Sequence, residues 1–297
     1  MNYAVGIDVG GTNIKGLAIT PTGEVLAQLS VPTGDDGTSA WIGRVVEVWQ
    51  QLRLNLGAGP ACTGIAAPGL AAADQLSIHC MPGRLPGLVG LNWQSRLGVA
   101  QPVPVLNDAH AALLGEVWCG AARGLANVIL LTLGTGVGGA VLVEGRLLRG
   151  ELGRAGHLGH VSLNPHGPLD IASTPGSLED AIGECTLFRR SAGQFPSTAA
   201  LVAASREGNP VAQEVWLRSI QALAAAVASF INCFDPARVV LGGGIAAAGP
   251  ALFEPLQEYL DRFEWRPTGV AVPVVPAGLG DRAAAYGAAW NALRFSA

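Results

Sequence analysis

Apolar residues gather in three short runs near the start of the chain, at 3–9, 14–20 and 24–31, separated by Gly10-Gly11-Thr12 and Pro21-Thr22-Gly23. Runs of this length between Gly- and Pro-containing turns predict a three-stranded meander. The period then changes: Trp41, Ile42, Val45, Val46, Val48, Trp49 and Leu52 recur at helical spacing, which predicts a helix over 39–56. A short buried strand is expected at 61–67. Residues 68–102, rich in Gly and Pro, read as loops, 103–106 as a strand and 107–118 as a helix.

The pattern then restarts. A strand at 128–133, the turn Gly134-Thr135-Gly136, a strand at 137–143 and the turn Glu144-Gly145 lead into 146–148. Residues 8–19 superpose on 132–143 without a gap, so the chain repeats a strand–turn–strand unit. Helices are predicted over 197–205, 210–234, 250–262 and 282–293, with short strands at 238–241 and 270–275. The most apolar helical stretch, 222–234, is shorter than a bilayer span, so no membrane partner is expected. With no low-complexity linker between the halves, the reading divides the chain into an N-terminal lobe, 1–118, and a C-terminal lobe, 119–281, with the last helix, 282–297, returning to the first.

Composition excludes several classes. Charged residues make up 13% of the chain, against about 25% in an average protein, and hydrophobic ones 49%, which leaves ample side chain for a core and argues against disorder. A net charge of −4 without any Lys/Arg-rich run argues against a nucleic-acid partner. The opening residues lack the basic and long apolar regions of a secretory leader. Five cysteines, scattered and without close pairs, fit the reduced thiols of a cytoplasmic protein and are expected as buried small hydrophobes.

The glycines carry the candidate chemistry. A phosphate chain can be held by consecutive backbone N–H groups where no side chain blocks its approach. Gly10-Gly11-Thr12 and Gly134-Thr135-Gly136, the second extended by Gly138, offer two such turns in repeated units, and Gly242-Gly243-Gly244 a third, suited to lie flat under an adenine or ribose. One Gly turn would be ordinary hairpin chemistry; three, two of them repeated, favour a nucleotide. Asp8, beside the first turn, reads either as the holder of a Mg²⁺ through water or as a turn cap. Lys15 reads either as a phosphate contact or as a solvated strand position. Walker A, Rossmann and protein-kinase motifs are absent. A nucleotide would therefore be clasped by hairpins between two halves.

Six segments resemble the ROK family of bacterial sugar kinases and repressors: Gly6-Ile-Asp-Val-Gly-Gly-Thr-Asn-Ile-Lys-Gly16, Gly64-Ile-Ala-Ala-Pro-Gly69, Leu106-Asn-Asp-Ala-His-Ala-Ala-Leu-Leu-Gly-Glu116, Leu131-Thr-Leu-Gly-Thr-Gly-Val-Gly-Gly139, Gly156-His-Leu-Gly-His160 and Val240-Leu-Gly-Gly-Gly244. They occur in the family's order over nearly the whole chain. The resemblance implies an α/β, duplicated ribonuclease-H-like (actin-like ATPase) fold with two lobes and a central cleft. It implies transfer of the γ-phosphoryl group of ATP, with Mg²⁺, to a sugar hydroxyl, often the 6-hydroxyl of a hexose. On it, Asp108 is the catalytic base and Gly69, Asn107, Asp108, His157, His160 and Glu179 form the sugar site. Asn107-Asp108 also reads as a helix N-cap after a strand, and both roles are compatible. The sugar stays open among glucose, mannose, fructose, N-acetylated hexosamines and a polyol. So do a non-catalytic sugar-binding protein and another phosphoryl donor such as polyphosphate. The resemblance also allows a homodimer. A repressor of this family carries a helix-turn-helix module, for which the first strand at residue 3 leaves no room.

Two departures stand out. His157 occupies a position where the family usually has a Glu that accepts from sugar hydroxyls. Members with a structural zinc hold it with the His matched by His160 and three Cys, whose places are taken here by Asp170, Ala172 and Ser177. No zinc is therefore expected, and His160 reads as a sugar contact or a core histidine. His79, His110 and His166 are expected on the surface or at caps. Trp41, Trp49, Trp118, Trp216 and Trp290 are expected in the core, and Trp93 in a loop where it would be free to stack near a ligand.

Overall fold

The computed structural model describes residues 2–57 and 59–295. They form two compact units. Unit 1 comprises the chain up to Gly124, Leu147–Ala155 and the chain from Gly278; unit 2 comprises Leu125–Arg146 and Gly156–Ala277.

Unit 1 is built from β1 (Ala4–Val9), β2 (Asn13–Ile19), β3 (Val25–Pro32), α1 (Ala40–Leu56), β4 (Cys62–Ala67), the short β5 (Leu70–Ala71) and β6 (Ile78–Cys80), α2 (Trp93–Leu97), β7 (Val105–Asn107) and α3 (Asp108–Cys119). Its sheet runs β3-β2-β1-β4-β7, with the meander antiparallel and β4 and β7 parallel to β1. Unit 2 is built from β8 (Val128–Leu133), β9 (Val137–Val143), β10 (Arg146–Leu147), α4 (Leu178–Ile182), α5 (Leu187–Arg190), α6 (Thr198–Arg206), α7 (Pro210–Phe234), β11 (Arg238–Gly242), α8 (Pro250–Phe263) and β12 (Val274–Pro276). Its sheet runs β10-β9-β8-β11-β12 in the same sense. The hairpins repeat in order but not in register: Asp8 pairs with Lys15 across a turn over 10–13, whereas Thr132 pairs with Gly138 across a turn over 134–136, one residue shorter, so the gapless match of 8–19 with 132–143 fails after the turn. This is the duplicated ribonuclease-H-like sheet expected from the sequence.

The chain ends with α9 (Ala283–Phe295), which packs on β1, β4 and α3 of unit 1. β1 is buried on both faces, and side-chain alternation divides it. Val5, Ile7 and Val9 join Trp41, Val45 and Trp49 of α1 in one core, while Ala4 joins Ala285 and Ala289 of α9 in another. Asp8 lies two and four residues along from Gly6 and Ala4 and so shares the α9 face. The carboxylate of Glu116, fully buried on α3, ties the C-terminal return to this unit by accepting from the backbone N–H groups of Ala121, Gly278 and Leu279 at 2.6, 2.9 and 2.8 Å.

Several expectations need correction. Residues 68–102 contain β5, β6 and α2, not loops alone, and Trp93 is a core residue set edge-on to Trp41. The last strand begins at Val274 instead of 270, because Glu264 Oε1 accepts from Val272 N at 2.8 Å and holds the preceding segment in a loop. Only Cys62 is buried; Cys80, Cys185 and Cys233 are exposed. His110 is buried, with Nε2 3.1 Å from the carbonyl of Ala155. α7 has 25 residues, long and apolar enough to cross a bilayer, but half of its most apolar window is buried, and it packs against α4, α6 and α8.

Candidate active site

The predicted site residues fall into one cluster in each unit. In unit 1, β1 and β7 end beside each other's neighbours, and both deliver a carboxylate. Asp8 closes β1, and Asp108 opens α3 directly after β7. Asn107 is the N-cap that aims Asp108. Its Oδ1 accepts from Ala109 N and His110 N at 2.9 and 3.2 Å, and its Nδ2 donates to Gly69 O at 3.0 Å. A side chain at Gly69, where φ is +99°, would meet the carbonyl of Cys80, so this glycine lets the 64–69 strand end reach Asn107.

Asp8 is 9% exposed. Burial first, and then the charge of Asp108, push its carboxyl up to about 7; Lys15 opposes the rise and Asp281 adds to it. The shift records how near Asp8 and Asp108 lie. Two oxygen-donor groups with a charge conflict, beside a turn rich in backbone N–H, fit a hard divalent cation such as Mg²⁺ rather than a thiophilic one. Lys15, on β2 across from Asp8, is held by Asp281: Nζ stands 3.1 Å from Oδ2 and donates to the Asp281 carbonyl at 3.0 Å. Sequence reading missed Asp281, whose partner lies on the first hairpin. The turn itself is braced by the residue that follows β3: Thr33 Oγ1 donates to Gly10 O at 2.6 Å and Thr33 N to Thr12 O at 2.8 Å. Thr12 is exposed at its tip.

In unit 2 the turn Gly134-Thr135-Gly136 is braced by the segment after α4. Glu184 N donates to Gly134 O at 3.0 Å, and Cys185 N to Thr135 O at 2.9 Å. Glu179, on α4 and 7% exposed, accepts from Val137 N at 2.9 Å and lies where a side chain on Gly136 would go. Gly243, with φ +87°, lets the third turn approach the backbone of Leu133, so Gly242-Gly243-Gly244 lies against the strand that leads into Gly134. Beside Gly244, a cavity of about 320 Å³ is lined by Glu184, Thr198, Val202, Arg206 and Ile245. Thr198, the first residue of α6, has a buried hydroxyl without a hydrogen-bond partner. Gly138 continues the ladder opposite Thr132.

His157 caps the start of a single 3₁₀ turn, Leu158–His160, which His160 closes and which packs against β9. His160 Nδ1 is 2.8 Å from Asp170 Oδ2. Asp170 Oδ1 accepts from Ala172 N and Thr174 N at 2.9 and 2.8 Å. Burial opposes ionisation of Asp170, yet hydrogen bonds from His160, Thr174 and Ser177 hold its carboxyl below the ordinary range. One ligand atom from each of His160, Asp170 and Glu179 lies within 4.8 Å of the others. All three carboxylate and imidazole groups are already hydrogen-bonded and no thiolate stands among them, so the set does not fit a Cys-rich structural zinc centre.

Comparison with known proteins identifies the family and the fold. The sequence profile of the ROK family matches residues 4–294. The chain is 34% identical over 275 residues to a glucokinase of Thermotoga maritima, covering 86% of each protein. It is 30% identical over 294 residues to an N-acetylmannosamine kinase of Vibrio cholerae, covering 96% of this chain and 97% of the relative. The structure of a ROK family glucokinase from Streptomyces griseus in complex with glucose and AMPPNP superposes with a TM-score of 0.81 at 27% identity, over 99% of this chain and 100% of that one. The chain belongs to the ROK family.

Proposed function

We propose that this protein is an ATP-dependent sugar kinase of the glucokinase type, which transfers the γ-phosphoryl group to a hexose hydroxyl, the 6-hydroxyl by preference. The observation that carries the reading is the capped, partly buried Asp108 at the end of β7, near Asp8 and in the same unit as the Gly10-Gly11-Thr12 turn. Asp108 accepts the proton of the sugar hydroxyl as its oxygen attacks the γ-phosphorus. The bond from that phosphorus to the bridging oxygen breaks, and ADP leaves with the electron pair. Phosphoryl transfer asks the protein mainly for position and charge stabilisation. Gly10, Gly11 and Thr12, with Gly134, Thr135, Gly136 and Gly138, supply N–H groups to the phosphates. The cavity beside Gly242, Gly243 and Gly244 takes the base and ribose, and Lys15 adds positive charge. Mg²⁺ entering with ATP would neutralise phosphate charge, with Asp8 to hold its water shell. Gly69, Asn107, His157, His160 and Glu179 complete the sugar site. Zinc has no part in this reading. Supply of ATP places the work in the cytoplasm.

Asp108→Asn keeps the helix cap and the shape of the site but removes the base. Turnover is expected to fall by at least about 10²-fold, the lower range for a general base, while calorimetry still detects sugar binding. Near-normal turnover in this variant ends the base assignment. A second reading, sugar binding with little turnover or a preference for an N-acetylhexosamine, fructose or a polyol, rests on His157. A neutral imidazole brings a donor where a carboxylate would only accept. ADP release measured over a panel of these sugars separates the readings: release with none, despite binding, favours the non-catalytic one.

A further inference from the structure

Gly11 is the middle residue of the first turn, and its Cα is covered by a guanidinium. A Cβ built on Gly11 would stand 2.6 Å from Cζ of Arg84, 2.8 Å from Nη1 and closer still to Nη2. Arg84 comes from the loop after β6, more than seventy residues along the chain, and its side chain is 48% exposed. Of its guanidinium nitrogens only Nε is tied. Nε donates to Asp35 Oδ2 at 3.3 Å, and the other oxygen of Asp35 accepts from Leu85 N at 3.2 Å. Among the described residues nothing accepts from Nη1 or Nη2, the two ends that face the turn.

The loop is shaped to present this group. Gly83 and Leu85, on either side of Arg84, both have left-handed backbone, with φ +77° and +48°. For a leucine this costs about 1 kcal/mol or more. Leu85 is 1% exposed, so burial of its side chain in the α1 core offsets the strain and locks the kink. Packing alone would not need a half-exposed cation to be held, by a buried leucine and a carboxylate, on a glycine at the middle of the turn.

We propose that Arg84 is a catalytic arginine that donates through Nη1 and Nη2 to the transferring phosphoryl group; this rests on the kinase reading above. A guanidinium stays charged, and its planar fork matches two phosphoryl oxygens at once. As the sugar oxygen bonds to phosphorus and ADP departs with the electron pair, negative charge spreads over the phosphoryl oxygens, and the hydroxyl proton goes to Asp108. Arg84 gains and loses no proton. It lowers the barrier by holding positive charge where negative charge gathers. Asp35 keeps the fork in place before ATP arrives. On this view Gly11 serves two ends: it frees the turn for phosphate and makes room for the cation.

The test compares wild type, Arg84→Ala and Arg84→Lys for ADP release at saturating sugar and ATP, with thermal melting alongside. Lysine keeps the charge but not the fork. kcat is expected to fall by about 10²–10³-fold in the alanine variant, less than a fully enclosed arginine would lose, and lysine restores only a small part. The melting temperature stays at the wild-type value. A kcat within about threefold of wild type, which is under 1 kcal/mol of barrier, overturns the assignment. If the alanine variant melts lower, millimolar guanidinium decides: recovered turnover supports the role, and none overturns it. Wild type reports separately on the kinase reading. If wild type releases no ADP with any sugar, that reading falls and the Arg84 role with it; if wild type turns over and Arg84→Ala matches it, the Arg84 role falls alone.

Discussion

Asp8 carries its charge where water cannot stabilise it, and this makes its ionisation a property of the fold. Its carboxyl is raised from the ordinary 3.8 to about 7, so between those values the folded protein binds a proton that the unfolded chain has already released. Stability from this group is therefore full at low pH, falls as pH rises from about 4 to about 7 and is flat above, a loss on the order of a few kcal/mol at most. Asp8→Asn removes the effect. The variant is expected to be more stable than wild type at about pH 8 and equal to it near pH 4, which denaturant unfolding at both values measures; a constant difference across the range would refute the shift. On the proposed function the same carboxyl must ionise to hold a cation, so on that reading the residue gives up stability for chemistry. Around it, sequence pattern singled out Asp8 and Lys15, and the family resemblance Asp108, but neither pointed to Asp281 or Arg84. Those two meet the first hairpin from hundreds and from tens of residues away, and no local periodicity records such a meeting.

At the scale of elements, glycine does work that turn chemistry does not explain. Gly6 on β1 and Gly64 on β4 are register partners, and both lie under α9. A Cβ on Gly6 would run into Ala285 O, and one on Gly64 into Ala288 O. Gly115 of α3 and Gly287 of α9 stand in the same relation to each other's helices. The obstacles are backbone, which cannot swing aside as a side chain can. Gly64→Ala is therefore expected to cost about 1–3 kcal/mol or more as overpacking, read as a lower denaturant midpoint with an unchanged slope. A neutral substitution would mean that α9 docks less closely. The loop between the two bridges Ser162–Ser177 and Leu169–Pro175 shows a different economy. Asp170 organises it through the backbone of Ala172 and Thr174 and through His160. The resemblance set Asp170, Ala172 and Ser177 against the cysteines of zinc-binding members; the hydrogen-bonded loop they belong to was not legible, because Asp170 acts through backbone groups that only the folded turn brings to it.

For the whole molecule, the central fact is that unit 1 is discontinuous. It is assembled from the start of the chain, from Leu147–Ala155 and from the residues after Gly278. α9 covers one face of β1 and β4, and Glu116 fastens the approach to it. A chain ending at Ala277 would expose that face and remove two of the three N–H donors to the Glu116 carboxylate, leaving Ala121 N alone, a cost of about 1–3 kcal/mol per lost partner. Such a truncation is expected to lose the cooperative unfolding of unit 1 in near-ultraviolet circular dichroism while unit 2, whose segments it retains, keeps its transition; a truncated chain with both transitions would show that α9 is dispensable.

The amino-acid sequence alone determined the repeated hairpins, the three glycine turns, the order of strands and helices and the pair Asn107-Asp108. Each of these is a local event, written in spacings of a few residues and in the backbone freedom of glycine. The tertiary structure alone decided that Asp8 shares a face with α9 and feels Asp108, that Lys15 is held by Asp281, that Trp93 is core, and that Arg84 lies on Gly11. These depend on which distant segments share a small volume. That is settled by the burial of apolar faces over the whole chain, and a charge acquires its pKa or its partner only once that burial has excluded water from around it.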